Sequence, residues 1–155
     1  ILEAGCVYIV PLMEALALPA DVAASTNPKS STGRLDVFTR VIADHARAFD
    51  TVPAGYHGPL YLEISPRTFP VLVRAGSRLS QIRFRRGDAR LDDAELAAVH
   101  AVHRLVAAGE PVIADGLALS IDLEGRWPGR ADDLVGYRAK HHTGLVDVDK
   151  KAALD

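Results

Sequence analysis

The chain has 155 residues, 48% hydrophobic and 25% charged, the proportions of a globular domain with one core. Lys and Arg number 18 against 20 Asp and Glu, a net charge of −2; this argues against a nucleic-acid coat protein and leaves room for one anionic small molecule held by a few local cations. Cys6 alone excludes an internal disulfide and a CxxC zinc site, and no run of about 18 apolar residues offers a membrane span.

The chain opens on Ile1 rather than Met, with no signal-peptide pattern, and is read as a piece of a longer cytoplasmic protein lacking N-terminal residues. Cys6–Val10 reads as a strand closed by Pro11, and Leu12–Leu18 as a short helical turn ended by Pro19. Asp21–Ser25 reads as a strand. Thr26–Arg34 is polar and without hydrophobic period, and Leu35–Ile42 resumes an apolar pattern. Ala43–Gly58 is loop-like. In Pro59–Ile64, Leu60, Leu62 and Ile64 share one face while Tyr61 and Glu63 share the other. Ser65-Pro66-Arg67 reads as a turn, and Phe69–Val73 and Leu79–Phe84 as strands. Short strands at this density predict a sandwich, jelly roll or barrel.

One segment departs from that pattern. Leu96, Val99, Val102, Leu105 and Val106 recur at helical spacing, with a capping box at Asp92 and Glu95 and a stop at Gly109. A helix over 91–108 is therefore expected, as an insertion of about residues 88–112 in a single domain over 1–155. A strand at Leu117–Leu123, a Gly-rich loop at Gly125–Gly129 and a polar tail at Val135–Lys150 follow.

Three polar stretches carry possible chemistry. Asn27–Arg34 holds adjacent hydroxyls, a Gly and two cations, a set that can donate to phosphate oxygens or simply form a Ser-rich surface turn. Glu63 is either a general base turned into a cleft or a solvent-facing strand residue. Arg78 and Gln81, after the turn at Gly76, are ligand-binding groups or ordinary strand-surface residues. His100 and His103 lack a carboxylate at the spacing of a helical zinc site, and a zinc nucleobase deaminase would need cysteines the chain does not have.

Lys29-Ser30-Ser31-Thr32-Gly33-Arg34-Leu35 resembles the Lys/Arg-Ser-Ser-x-Gly/Ala-Arg-Leu signature of the deoxycytidine triphosphate deaminases, members of the dUTPase-like superfamily. Gly55-Tyr56-His57-Gly58, Leu62-Glu63 and Ala75-Gly76-Ser77-Arg78-Leu79-Ser80-Gln81-Ile82 are similar to that family's later motifs, in the same order. Tyr8-Ile9-Val10-Pro11 and Leu18-Pro19-Ala20-Asp21 match upstream. Tyr137-Arg138-Ala139-Lys140 resembles the C-terminal segment that closes over the triphosphate. The wording is similar to the longer, two-part bacterial form of the enzyme.

The resemblance implies a mostly β, dUTPase-like distorted jelly roll or β-barrel with one inserted helix. It implies a homotrimer, or a pseudo-trimer with a missing second half, with sites between subunits. It implies zinc-free hydrolysis of dCTP to dUTP and ammonia, with no metal held by the protein and Mg2+ arriving on the triphosphate; no nucleic-acid or membrane partner is expected. By position, Glu63 would be the general base, Ser30 would hold the water and Arg34 would assist. Lys29, Ser31, Gly33, Tyr56, Arg78, Gln81, Tyr137 and Lys140 would bind the substrate, as would Arg34. The family's Ile-Asp-Pro-Gly reads Val52-Pro53-Ala54-Gly55 here, behind a loop several residues longer, and the candidate replacement carboxylates are Asp44 and Asp50. Two alternatives stand beside this reading. One is a dUTP pyrophosphatase of the same fold, which needs its catalytic Asp where Pro53 stands. The other is a non-catalytic nucleotide-sensing or assembly module.

Overall fold

In the computed structural model, which describes residues 1–88, 90–124, 135–138 and 144–150, the alternating segment around Leu62 is the middle of a longer strand. In chain order the first unit, Ile1–Gly87 with Ala139–Asp155, contains β1 (Tyr8–Ala17), β2 (Val22–Pro28), α1 (Ser30–Arg34), β3 (Val37–Ala43), β4 (Thr51–Val52), β5 (His57–Pro66), β6 (Val71–Leu72) and β7 (Ser80–Arg86). The second, Asp88–Arg138, contains α2 (Asp93–His103), β8 (Val112–Ile113) and β9 (Leu117–Ala118), and β10 (Val146–Asp147) returns to the first. Two antiparallel sheets, β1-β5-β3 and β4-β2-β7, build the first unit, with β10 and β6 as a parallel pair. Leu60, Leu62 and Ile64 of β5 bury one face against Val37 and Val41 of β3, Ala24 of β2, Val52 and Leu79.

Leu12–Leu18 is not helical. It continues β1, which runs through Pro11 and pairs with β5 as far as Ala17↔His57. Leu12 and Leu16, four apart, both pack on the core because residues an even number apart share one face of a strand. A pair four apart fits a helix face and a strand face alike, and pairing with β5 decides between them. Pro11 is tolerated because β1 is an edge strand in this sheet. Similarly, Ser65 and Pro66 belong to β5, and the turn starts at Arg67, whose N–H donates to the Asp36 carbonyl at 3.0 Å.

The helix of the second unit starts where the sequence predicts. Asp92 Oδ1 accepts from the Glu95 N–H at 2.8 Å, and Glu95 Oε2 accepts from the Asp92 N–H at 2.9 Å. Its end lies earlier than Gly109. Arg104 adopts a left-handed conformation (φ 44°), and the Val106 N–H donates to His100 Nδ1 rather than continuing the ladder. Asp93 accepts from the N–H groups of Asp115 and Gly116, which ties the β8–β9 turn to the start of α2. The strand expected over Leu117–Leu123 is confined to β9; Leu119, Ile121 and Leu123 are exposed. The loop Gly125–Gly129 lies outside the described residues, as does part of the polar tail. No helix among the described residues is long and apolar enough to cross a membrane.

β10 is tethered by charge as well as by backbone bonds. Arg74 donates from Nη1 and Nη2 to the two carboxylate oxygens of Asp147, both at 2.7 Å. These bonds, with the Asp149 N–H, hold the Asp147 carboxyl down at about 2. Its folded pKa lies below the ordinary value, so the tether contributes above about pH 4 and is lost as pH falls through about 2. Protection of the Val146 and Val148 amides, taken relative to the intrinsic exchange rate at each pH, is expected to fall over that interval. The same protection should fall with salt, since the pair faces solvent; protection indifferent to both would remove the tether.

Candidate active site

The Ser-rich stretch becomes one helical turn, α1, between β2 and β3. Its position is set from below by one carbonyl. Leu79 O accepts from the Lys29 N–H at 2.9 Å and from Thr32 Oγ1 at 2.7 Å. Both Thr32 and Leu79 are buried. This double bond of contacts draws Ser30–Arg34 against the start of β7, where Pro28 pairs with Ser80 and Asn27 with Gln81. Two motifs almost fifty residues apart in the chain (Thr32 and Leu79 are separated by 47) are therefore neighbours.

At this junction Ser30, Ser31, Arg34, Arg78 and Gln81 are exposed, and their side chains make no hydrogen bond or ion pair with any described residue. Hydroxyls, guanidinium groups and an amide free of internal partners can all donate to anionic oxygens. Gly76 (φ 87°) supplies the left-handed turn ahead of Arg78. Gly33 has no such need: a Cβ there would meet nothing within 4 Å. It lines a cleft of about 430 Å³ with Pro28, Asp36, Val37, Phe38 and Arg67. Thr32→Val is expected to destabilise the fold by about 1 kcal/mol, because Leu79 O keeps only one of its two donors, while Thr32→Ser keeps the donor and loses one buried methyl, about 0.8 kcal/mol. Urea denaturation of the three proteins checks this.

Glu63 lies on the other sheet. It sits directly opposite Arg40 of β3 in the register, and Arg40 Nη2 and Nε donate to its Oε1 at 2.7 and 3.1 Å. The Glu63 side chain is 12% exposed. Val37, just after α1, pairs with Pro66, so roughly 10 Å of strand separates that level from Glu63, at about 3.3 Å per residue. No hydrogen bond or ion pair joins Glu63 to the α1 residues among the described residues.

Tyr56 is buried. Its hydroxyl donates to Pro59 O at 2.5 Å and accepts from the Asp44 N–H at 2.9 Å. Asp50 is also committed inside the fold: Oδ1 accepts from Thr26 Oγ1 at 2.8 Å and from the Val41 N–H at 2.9 Å. Asp44 is exposed, as is Pro53. Tyr137 belongs to the second unit and is 88% exposed. Lys140 lies outside the described residues. Among the described residues, no group of three or more His, Cys, Asp or Glu side chains could hold a metal ion. Arg40 and Asp50 carry no motif of their own. The signal for Arg40 was the alternation Phe38-Thr39-Arg40-Val41, which puts it on the outer face, but only the register places it opposite Glu63.

A strand-rich fold that brings a Ser-Ser-x-Gly-Arg turn against an Arg-x-x-Gln strand defines a dUTPase-like domain. The family model described as 2'-deoxycytidine 5'-triphosphate deaminase N-terminal domain matches residues 1–88, and that described as the C-terminal domain matches residues 92–155. The chain belongs to the 2'-deoxycytidine 5'-triphosphate deaminase family. It is also similar to the crystal structure of 2'-deoxycytidine 5'-triphosphate deaminase from Agrobacterium tumefaciens, at 65% identity and a TM-score of 0.75, covering 99% of this chain and 45% of that one. The chain thus spans less than half the length of that relative. No curated protein matches the chain.

Proposed function

We propose that this chain is part of a cytoplasmic enzyme that hydrolyses dCTP to dUTP and ammonia. One observation supports the reading: in a chain of the deaminase family, the segments that carry the partner-free side chains of Ser30, Ser31, Arg34, Arg78 and Gln81 meet at the carbonyl of Leu79. These groups take the triphosphate, with Lys29 and the open backbone at Gly33 beside them. Mg2+ enters as part of the substrate, held by phosphate oxygens, since this ion favours oxygen ligands and retains waters.

Glu63 acts on the other side of the pyrimidine. Ser30 orients a water, Glu63 takes its proton as the oxygen bonds to C4, and Arg34 stands beside the developing charge. The same carboxyl returns that proton to ring N3, then passes the proton of the new C4 hydroxyl to the amine as C4=O forms and the C–N bond breaks, so that water and dCTP become dUTP and ammonia without zinc. A positioned carboxylate supplies about 10²–10⁴-fold, and fixed donors around the new charge supply more. No hydrogen bond or ion pair joins Glu63 to α1 among the described residues, which favours a site completed between copies, in a homotrimer or a pseudo-trimer made with a second half of the longer protein. Tyr56 serves that site by shaping the loop below it.

Product analysis of the complete protein tests the reading. Ammonia and dUTP from dCTP are expected, with no pyrophosphate from dUTP. Pyrophosphate release would replace it with the dUTP pyrophosphatase reading, against which Pro53 stands where that enzyme needs Asp. Calorimetric binding of dCTP without any turnover would replace it with a nucleotide-sensing module.

A further inference from the structure

Arg40 meets Glu63 in an unusual way for a cross-strand pair. Both contacting nitrogens, Nε and Nη2, are spent on a single carboxylate oxygen, Oε1, and Oε2 is left without a donor among the described residues. A glutamate side chain has free torsions along its stem, so a carboxylate unrestrained by its surroundings presents either oxygen in several directions. Pinning Oε1 selects Oε2 as the oxygen that remains to take a proton and gives it one direction. Lysine cannot do this, because a point-charge ammonium lacks the planar fork.

The guanidinium is itself held. Its carbon lies 3.7 Å from the Phe49 ring centroid and 5.2 Å from that of Phe38. Phe38 is on the same face of β3, but Phe49 comes from the lengthened loop after β3. That loop is fixed at both ends. The Asp44 N–H donates to Tyr56 Oη, and Asp50 (φ 58°) exchanges backbone bonds with Val41 and Thr26 while its carboxylate caps the same two residues. Phe49 is adjacent to this anchor, which explains how a half-exposed ring keeps its place over Arg40.

We propose that Arg40 is a positioning residue for the Glu63 carboxylate, and that the lengthened loop serves to present Phe49 as its clamp. The inference rests on the reading of Glu63 as the base and adds the device that aims it. Misplacement of a reacting group by an ångström can cost about 10²-fold.

The test uses the complete protein, dCTP as substrate and ammonia release as the signal. Arg40→Ala is expected to lower kcat by about 30–100-fold with KM changed by less than about threefold. Millimolar guanidinium ion should restore part of that kcat in Arg40→Ala and leave the parent protein and Glu63→Gln unaffected. Arg40→Lys should stay at least about tenfold below the parent. Phe49→Ala should lower kcat by about 2–5-fold in the same direction, the scale of one exposed cation–π contact. Should Arg40→Ala fail to fold, Arg40→Lys, which keeps stem and charge, carries the test. Arg40 variants with kcat within about twofold of the parent overturn the proposal. So does a loss without guanidinium rescue that appears equally in KM or melting temperature, which would confine Arg40 to holding the sheet. Glu63→Gln is read separately. If it turns over dCTP, the base assignment itself fails; if it is inert while the Arg40 variants are normal, only the positioning role falls.

Discussion

Glu63→Gln is expected to lower dCTP turnover by at least about 10²–10⁴-fold, the contribution of a positioned general base, and to leave the fold intact. The amide has the same shape as the carboxyl and its oxygen can still accept from Arg40 Nε and Nη2, so the cross-strand contact in β3–β5 persists. What is lost is proton affinity: an amide nitrogen has its lone pair delocalised into the carbonyl and cannot take a proton from water at neutral pH. Binding of dCTP should survive, because the groups proposed for the triphosphate lie on α1 and β7, on the other sheet. Steady-state ammonia release, set beside calorimetric dCTP binding and a melting curve, separates these effects. A variant with more than about a tenth of parental kcat removes Glu63 from the chemistry.

Leu62→Ala is expected to have the largest effect on stability. Leu62 is 3% exposed, on the middle strand of β1-β5-β3, opposite Val10 on one side and Val41 on the other. Truncation removes buried methyl groups and leaves a cavity that the flanking strands cannot close without breaking register, a loss of about 2–5 kcal/mol. Domain stabilities are about 5–15 kcal/mol, so this change consumes a large share of the margin. Met13→Ala on β1 is the matched control. Met13 is 80% exposed, and its truncation should move stability by no more than about 0.5 kcal/mol. Urea denaturation gives both values, and equal losses at the two positions would contradict the assignment of the core face of β5.

The arrangement of that core explains which features the amino-acid order reveals. Residues 60–64 alternate so regularly that the buried face of β5 follows from the period alone, and the observed burial repeats it. The start of α2 is equally legible, because a capping box closes between residues three apart and needs no other part of the chain. The signature at Lys29–Arg34 and the Arg78–Gln81 turn are readable as residue types in order. That they touch is not, since the contact passes through the carbonyl of Leu79.

Sequence by itself settled the strand-rich class, the family motifs and the start of the helix, because each depends on neighbours along the chain. Tertiary structure decided the rest. Leu12–Ala17 is strand because β5 offers it hydrogen-bonding partners, and its two-residue period carries Leu12 and Leu16 to the same core. Asp50 became an anchor because its carboxylate meets Thr26 and the Val41 N–H, which come from two different strands. Arg40 faces Glu63, 23 positions away, only through the antiparallel register of β3 and β5. Such pairings are energies of association between distant segments, and no window of local sequence contains both partners.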